Sequence, residues 1–199
     1  MIKNFVINNY MNAVIDLNKY NKEQLEEIKY GIESIYIAVS KIVVILLISF
    51  ILGLFKETIL FLVLFNILRI VAFGLHASKS IYCWISSSIS FLLIPYICKT
   101  LEFPTFFYII STIVCLILFI WYAPADTIKR PLINIKKRKI YKILSIIFST
   151  IYIILIFTIN NLLIKNMLMF ALILETILII PITYKIFKLP YNNYKNYND

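Results

Sequence analysis

Two side chains of this sequence could act together as a nucleophile and its base, His76 and Cys83. His76 is the only histidine, and Cys83 is one of three cysteines. A thiolate is the reactive form of cysteine, and a neighbouring imidazole produces it by accepting the thiol proton. A lone histidine is more often an interfacial hydrogen-bonding residue, and a lone cysteine a small apolar one. The pair alone is therefore a weak indication of catalysis.

Helix geometry restricts how this pair could work. Residues seven positions apart on a continuous helix share a face but lie about 10 Å apart along the axis. Catalytic proton transfer needs a separation of about 3 Å. His76 and Cys83 can therefore cooperate only if the chain between them leaves the helix, which Gly74 and the Ala-Ser-Lys-Ser run at 77–80 favour. Such backbone at membrane depth requires a pocket that satisfies its polar groups.

Three charged residues are candidates for supporting roles. Arg69 could bind a substrate carboxylate or favour the thiolate by its field, or it could only set the membrane topology. Glu175 lies within an apolar segment, so it must be protonated, face a cavity, or pair with Lys41 or Arg69. A contact that orients a histidine is a further alternative for Glu175. Asp126 is a candidate third catalytic group, although nothing in the sequence brings it near His76.

The composition predicts the elements that must position these residues. Of the 199 residues, 61% are hydrophobic and 15% are charged, whereas a soluble domain has about 25% charged residues. We therefore expect an all-α, multi-spanning protein in which 1–199 form a single integral membrane domain. The net charge of +10 indicates membrane topology and lipid contact rather than nucleic-acid binding. A single histidine and three scattered cysteines predict neither a zinc site nor another cofactor.

Spanning a bilayer takes about 20 mostly apolar residues, and six segments approach this length. Their predicted limits are 35–55, 58–75, 82–99, 105–123, 143–160 and 167–187. Residues 1–33 are predicted to form an amphipathic helix in the membrane interface, with a break near Asn21; a soluble helix packed on the rest is the alternative. We expect a transmembrane bundle over 35–187, kinked at Pro95 and Pro181, and a cytoplasmic tail over 188–199.

Charge orients the chain, because lysine and arginine concentrate in alternate connections. The rich regions carry Lys3, Lys19, Lys22, Lys29, Arg69, Lys79, Lys129, Arg130, Lys136, Lys137, Arg138, Lys139, Lys142, Lys185, Lys188 and Lys195. The poor connections carry Lys56, Lys99 and Lys165. The positive-inside rule then predicts two cytoplasmic termini and a pocket at 69–83 that opens to the cytoplasm.

Two motifs resemble those of a known family. The stretch from Arg69 to Cys83, RIVAFGLHASKSIYC, resembles the signature of the accessory gene regulator B (AgrB) family, the membrane endopeptidases of peptide quorum sensing. The stretch from Tyr122 to Arg138, with its Ala-Pro-Ala-Asp-Thr and Lys-Arg-Pro-Leu-Ile runs, resembles the family's cytoplasmic loop. One departure is at 73–74, where many members have a Gly-Gly pair and this chain has Phe-Gly.

The resemblance implies a cysteine endopeptidase, with Cys83 as nucleophile, His76 as base, and Arg69 and Gly74 as motif positions. Its substrate would be a small AgrD-type precursor, whose C-terminal tail is removed through an acyl-thioester before the peptide closes into a thiolactone or lactone. The resemblance is also compatible with a homodimer. Two other readings stay open: a transporter or permease with Arg69 and Glu175 as pathway charges, and a non-enzymatic membrane scaffold.

Overall fold

The computed structural model describes residues 2–15, 20–75, 80–127 and 131–197. Within these ranges the chain is all-α, as predicted. The helices are α1 (Ile2–Ile15), α2 (Lys22–Ile51), α3 (Phe55–Ala72), α4 (Ser80–Thr100), α5 (Thr105–Tyr122), α6 (Ile135–Thr158), α7 (Leu162–Ile179) and α8 (Pro181–Ile186), and a 3₁₀ helix covers Asn193–Tyr197.

Among the residues that the structure describes, five helices are long and apolar enough to cross a membrane: α2, α4, α5, α6 and α7. The chain is therefore a multi-pass membrane protein. The remaining predicted span corresponds to α3, which has 18 residues, like α5 and α7. It carries three charged residues within these 18 positions, Lys56, Glu57 and Arg69, whereas each of the other five helices contains an 18-residue stretch with at most two. Its crossing of the membrane therefore stays a prediction.

Residues 1–50 form one compact unit that contains α1 and most of α2. The helix α2 begins directly after Asn21, where the sequence predicts a break. The amide of Gln24 donates to the Asn21 side chain at 2.8 Å, and the amide of Asn21 donates to the Gln24 side chain at 3.0 Å. This reciprocal pair satisfies backbone donors at the helix start. From there α2 continues to Ile51 without interruption.

Residues 51–199 form the second unit, in which α7 is the central helix. Half of the α7 residues are buried, more than twice the share in α2, α4, α5 or α6, and α7 packs against α3, α4, α5 and α6. Polar bonds add to this packing, as expected where lipid weakens the hydrophobic drive between helices. From α6, Ser145 donates to the Val71 carbonyl at 2.9 Å and Tyr152 to the Leu64 carbonyl at 2.7 Å.

The second unit has two ends that differ in content. At one end, Glu57 of α3 pairs with Lys99 of α4 at 2.7 Å, and Asn166 of α7 donates to the carbonyls of Cys98 and Leu101 at 3.1 and 3.0 Å. We call this the opposite end. The other end contains the end of α3, the start of α4 and the end of α7. We call it the turn end, after the turn at 73–75 that follows α3.

Proline and asparagine set several helix limits that hydropathy places elsewhere. The last predicted span, 167–187, is divided because α7 ends at Ile179 and α8 begins at Pro181; the prediction of a kink at Pro181 is wrong. Proline has no amide proton to donate, so it is favoured at the first position of a helix. Asn134 accepts hydrogen bonds from two amides in the first turn of α6, which therefore begins at Ile135, before the predicted 143.

Candidate functional site

The end of α3 is followed by a turn at 73–75 that contains two residues of unusual backbone conformation. Phe73 has a φ of 67° and Gly74 a φ of 76°. Positive φ is rare for a bulky residue, so Phe73 must be held by its surroundings. Its ring packs edge-on against Tyr141, with the centroids 4.8 Å apart. A packed aromatic ring thus anchors the strained start of the turn.

Backbone hydrogen bonds attach this turn to two distant segments. The amide of Gly74 donates to the Ala125 carbonyl at 2.8 Å, and the Ala125 amide donates to the Ala72 carbonyl at 3.0 Å. The amide of Leu75 donates to the carbonyl of Leu178 in the last turn of α7 at 2.7 Å. These bonds satisfy the polar groups of this non-helical backbone within the protein.

Arg69 and Glu175 form an ion pair directly beside the turn. Glu175 is fully buried, and its Oε1 lies 3.4 Å from Nη1 of Arg69. Arg69 also donates to the carbonyl of Leu75. The structure thus pairs Glu175 with Arg69, one of the two partners that the sequence offers. The pair stabilises two charges that would be costly alone and fixes the turn at the same time.

Gly74 is required here for space as well as for conformation. A Cβ atom at this position would overlap Nη1 of Arg69 and lie 3.0 Å from the Leu178 carbonyl oxygen and 3.1 Å from Oε1 of Glu175. The structure thus brings Arg69, Gly74 and Glu175 into one cluster. We call these three residues the turn cluster.

Asp126 lies next to Ala125 but serves another segment. It is fully buried, and its carboxylate accepts from the amides of Asn193 at 3.1 Å and Tyr194 at 2.8 Å. The guanidinium of Arg138 lies 4.0 Å from the carboxylate and 3.7 Å from the centre of the Tyr194 ring. Asp126 therefore holds residues near the C-terminus against the loop at 123–126.

Two tyrosines complete this attachment. The hydroxyl of Tyr184 lies 3.2 Å from the carbonyl oxygens of both Ala125 and Asp126, to which it donates. The hydroxyl of Tyr191 donates to the Tyr122 carbonyl at 3.4 Å. Burial raises the pKa of Tyr184, and it raises the pKa of Tyr191 to about 12. Both hydroxyls consequently keep the protons that they donate at neutral pH.

Cys83 is half-buried in the first turn of α4, with its Sγ 4.0 Å from Oγ of Ser87. Cys98 and Cys115 are buried. His76 lies outside the described residues, so its predicted pairing with Cys83 stays a prediction. Within the described residues, α3 ends at Ala72 and α4 begins at Ser80.

Several site residues were not predicted from the sequence. The contacts of Tyr184, Asn193 and Arg138 with 125–126 join positions too far apart in the chain for a local pattern to indicate them. Ser87 is different, because its position four residues after Cys83 places both on one helix face.

Together, fold and site define a class: a polytopic α-helical membrane protein whose buried polar turn precedes a half-buried cysteine. Residues 3–179 match the model of the family described as Accessory gene regulator B. The chain belongs to that family, which confirms the resemblance seen in the two motifs.

Curated relatives agree over most of their length. A putative AgrB-like protein of Clostridium acetobutylicum is 37% identical over 183 residues, which are 90% of this chain and 88% of the relative. A putative AgrB-like protein of Listeria welshimeri is 31% identical over 179 residues, again 90% and 88%. The accessory gene regulator protein B of Staphylococcus epidermidis is 32% identical over 167 residues, 83% and 84%. No solved structure matches the chain.

Proposed function

We propose that the protein is a membrane-embedded cysteine endopeptidase that removes the C-terminal tail of an AgrD-type quorum-sensing precursor. The observation that carries the proposal is the position of Cys83 in a member of this family. It lies half-buried at the turn end, whereas Cys98 is buried at the opposite end and Cys115 is buried within α5. Cys83 is thus the thiol whose surroundings suit a reactive residue.

In the proposed mechanism His76 accepts the proton of Cys83, and the thiolate attacks the scissile carbonyl carbon. The carbon–nitrogen bond breaks, the proton passes to the leaving amine, and an acyl-thioester remains on Cys83. A cysteine thiol of the precursor, or a serine hydroxyl, then attacks the thioester and releases Cys83 as the ring closes. Limited access of water suppresses hydrolysis, and the tethered nucleophile gains an intramolecular advantage.

The turn cluster supports this chemistry by position. It fixes the backbone up to Leu75, the residue directly before His76. Arg69 is held by Glu175 and the Leu75 carbonyl, which favours a role in holding the turn over one in binding a substrate carboxylate. The Asp126 carboxylate accepts from Asn193 and Tyr194, which favours a role in holding the adjacent loop. The third catalytic group is left unassigned.

Charge supports a cytoplasmic site. The opposite end carries Lys56, Lys99 and Lys165 with two acidic residues, Glu57 and Glu102, whereas the turn end carries the basic residues of early α6 and of α8. We place the turn end and both termini in the cytoplasm. A reporter fused after Lys56 or Lys165 should be external, and a cytoplasmic reading at either site would contradict this orientation.

Co-expression with the cognate precursor tests the peptidase function. The released tail and an acyl adduct on Cys83 are followed by mass spectrometry. We expect Cys83→Ala to abolish both, and Cys98→Ala and Cys115→Ala, the matched controls, to retain both. Full processing by Cys83→Ala would reject the mechanism.

A further inference from the structure

The first half of α4 is rich in serine, with hydroxyls at 86, 87, 88 and 90. One face of the helix carries Cys83, Ser87, Phe91, Pro95 and Cys98 at helical spacing. The last three are buried, and the Phe91 ring packs against Phe61 and Phe65 of α3, with centroids 5.9 and 5.4 Å apart. Cys83 and Ser87 therefore begin the face that α4 turns toward the bundle.

The side chains of Cys83 and Ser87 meet across one helical turn. Side chains on a helix lean toward its N-terminus, so the hydroxyl at position 87 points back toward position 83. Oγ and Sγ are 4.0 Å apart, and either can donate while Cys83 is a thiol. Once Cys83 has lost its proton, only the serine can donate. A hydrogen bond to an ionised group is stronger than a neutral one, so this contact strengthens when the nucleophile forms.

We infer that Ser87 is a positioning residue for the Cys83 nucleophile, donating a hydrogen bond that stabilises the thiolate and holds Sγ on the bundle-facing side of α4. The inference rests on the proposed function, because it concerns the same thiol. It adds a specific role for one hydroxyl in a serine-rich segment.

The neighbouring serines make other contacts and provide matched controls. The hydroxyl of Ser86 donates to the Cys83 backbone carbonyl at 3.3 Å, not to its sulfur. Ser88 lines an apolar cavity together with Leu52, Ile89 and Leu92. Removing either hydroxyl keeps helix length and charge unchanged while leaving the contact between Ser87 and Cys83 in place.

Charged groups on the helices packed against α4 are the same in all these variants. They are Lys56, Glu57 and Arg69 on α3, and Lys165 and Glu175 on α7. Arg69 and Glu175 are the two at the turn end, and they pair with each other. His76 is also unchanged. A difference between Ser86, Ser87 and Ser88 variants thus reports on the removed hydroxyl.

The test measures the reactivity of Cys83 directly, in membranes containing the full chain with Cys98→Ala and Cys115→Ala. The alkylation rate with iodoacetamide is followed between about pH 6 and pH 10, a range that brackets ordinary thiol titration. We expect Ser87→Ala to slow alkylation about tenfold at neutral pH, the scale of one hydrogen bond to a charged group, and the deficit to shrink at alkaline pH, where the thiol ionises without help. Ser86→Ala and Ser88→Ala should match the parent at every pH.

Threonine and valine have the same shape as each other, so variants with these two residues at position 87 separate the effect of the hydroxyl from that of packing. Ser87→Thr keeps a hydroxyl and should restore most of the alkylation rate, whereas Ser87→Val has the same shape without it and should behave like Ser87→Ala. Processing of the precursor should fall mainly in kcat, about tenfold, with little change in KM. A deficit equal at all pH values, or equal for Thr and Val, would show a packing role and overturn the inference.

The two proposals fail in different ways. If Cys83→Ala still processes the precursor, the peptidase function is rejected whatever Ser87 does. If Cys83→Ala is inactive but Ser87→Ala alkylates and processes like the parent, the role of Ser87 is rejected and the peptidase function stands.

Discussion

The two ends of the second unit each contain a buried polar network, but the networks do different work. At the opposite end, Asn166 accepts from the Tyr108 hydroxyl at 2.5 Å and donates to two carbonyls at the end of α4. The groups of this network are neutral, while the ion pair of Glu57 and Lys99 lies at the same end. At the turn end, the network contains two charges, and Oε2 of Glu175 has no hydrogen-bond partner among the described residues.

The comparison shows that buried polar bonds can have two roles in a membrane protein. They can satisfy the carbonyls at a helix end, or they can hold the backbone in an unusual conformation. Asn166 donates to carbonyls at the end of α4 that have no partner within the helix, so its network stabilises the end of that helix. The turn cluster holds Phe73 and Gly74 in left-handed conformations after α3 has ended. We therefore expect substitutions at the opposite end to lower the stability of the protein. Substitutions at the turn end should lower the rate of precursor processing even while the protein stays folded.

The largest effect is expected at Gly74. Gly74→Ala combines a positive φ with overlap against Arg69, so either the turn moves or the guanidinium leaves Glu175 and the Leu75 carbonyl. In both cases the turn loses its geometry, and tail release should fall by at least about 100-fold, the scale of a 1 Å misplacement. Gly53→Ala is the matched control, because Gly53 also has a positive φ of 66° but no neighbour within 4 Å of the added atom. It should cost about 1 kcal/mol of stability with processing retained. Equal activity of the two variants would show that space at Gly74 does not matter.

The next effect compares Glu175→Ala with Asn166→Ala. Removing Glu175 leaves Arg69 without its partner, and removing Asn166 leaves the Tyr108 hydroxyl and two carbonyls unsatisfied. Each substitution should lower the free energy of unfolding, measured in detergent, by about 2–4 kcal/mol. At a temperature where both variants remain folded, tail release should drop only in Glu175→Ala. A comparable loss of processing in both would remove the distinction between the two ends.

The smallest effect is expected at the C-terminal attachment. Asp126→Asn keeps the shape but replaces one acceptor oxygen by an amide that donates. Either the bond from Asn193 or the two bonds from Leu132 and Tyr194 are then lost, and the pairing with Arg138 weakens. We expect a loss of about 1–2 kcal/mol and faster proteolysis near 191–194, with the initial rate of tail release within about threefold of the parent, a difference of less than 1 kcal/mol. Lys188→Ala, whose side chain is exposed, is the control. Abolished activity in Asp126→Asn would instead favour a catalytic role.

Much of the fold followed from the sequence because lipid makes composition decisive. Long apolar runs predicted the spanning helices. Gly74 and the run at 77–80 were expected to favour a break between His76 and Cys83, whereas α3 already ends at Ala72, within the predicted span 58–75. The limits of α6 and α7 were harder, since capping by Asn134 and the break before Pro181 override hydropathy. The partner of Glu175 was narrowed to two residues but not chosen, because the choice depends on which helices pack against α7.

Other parts of the site were beyond sequence reasoning. The bonds from Asn193 and Tyr194 to Asp126 join residues 67 and 68 positions apart, and no periodicity indicates such a contact. Ser87 could have been found, because the same helical spacing that argued against a direct contact between His76 and Cys83 favours one between Cys83 and Ser87.

The break at Pro181 has a consequence for the architecture of the site. In an uninterrupted helix the carbonyl of Leu178 would accept from the amide four residues later. Because α7 stops at Ile179, that oxygen accepts from Leu75 instead, while the neighbouring Ile177 carbonyl accepts from the Thr183 hydroxyl. The break before Pro181 thus leaves the Leu178 carbonyl without an intrahelical donor, and the amide of Leu75 donates to it. Through this hydrogen bond, the last turn of α7 sets the geometry of the loop that precedes His76.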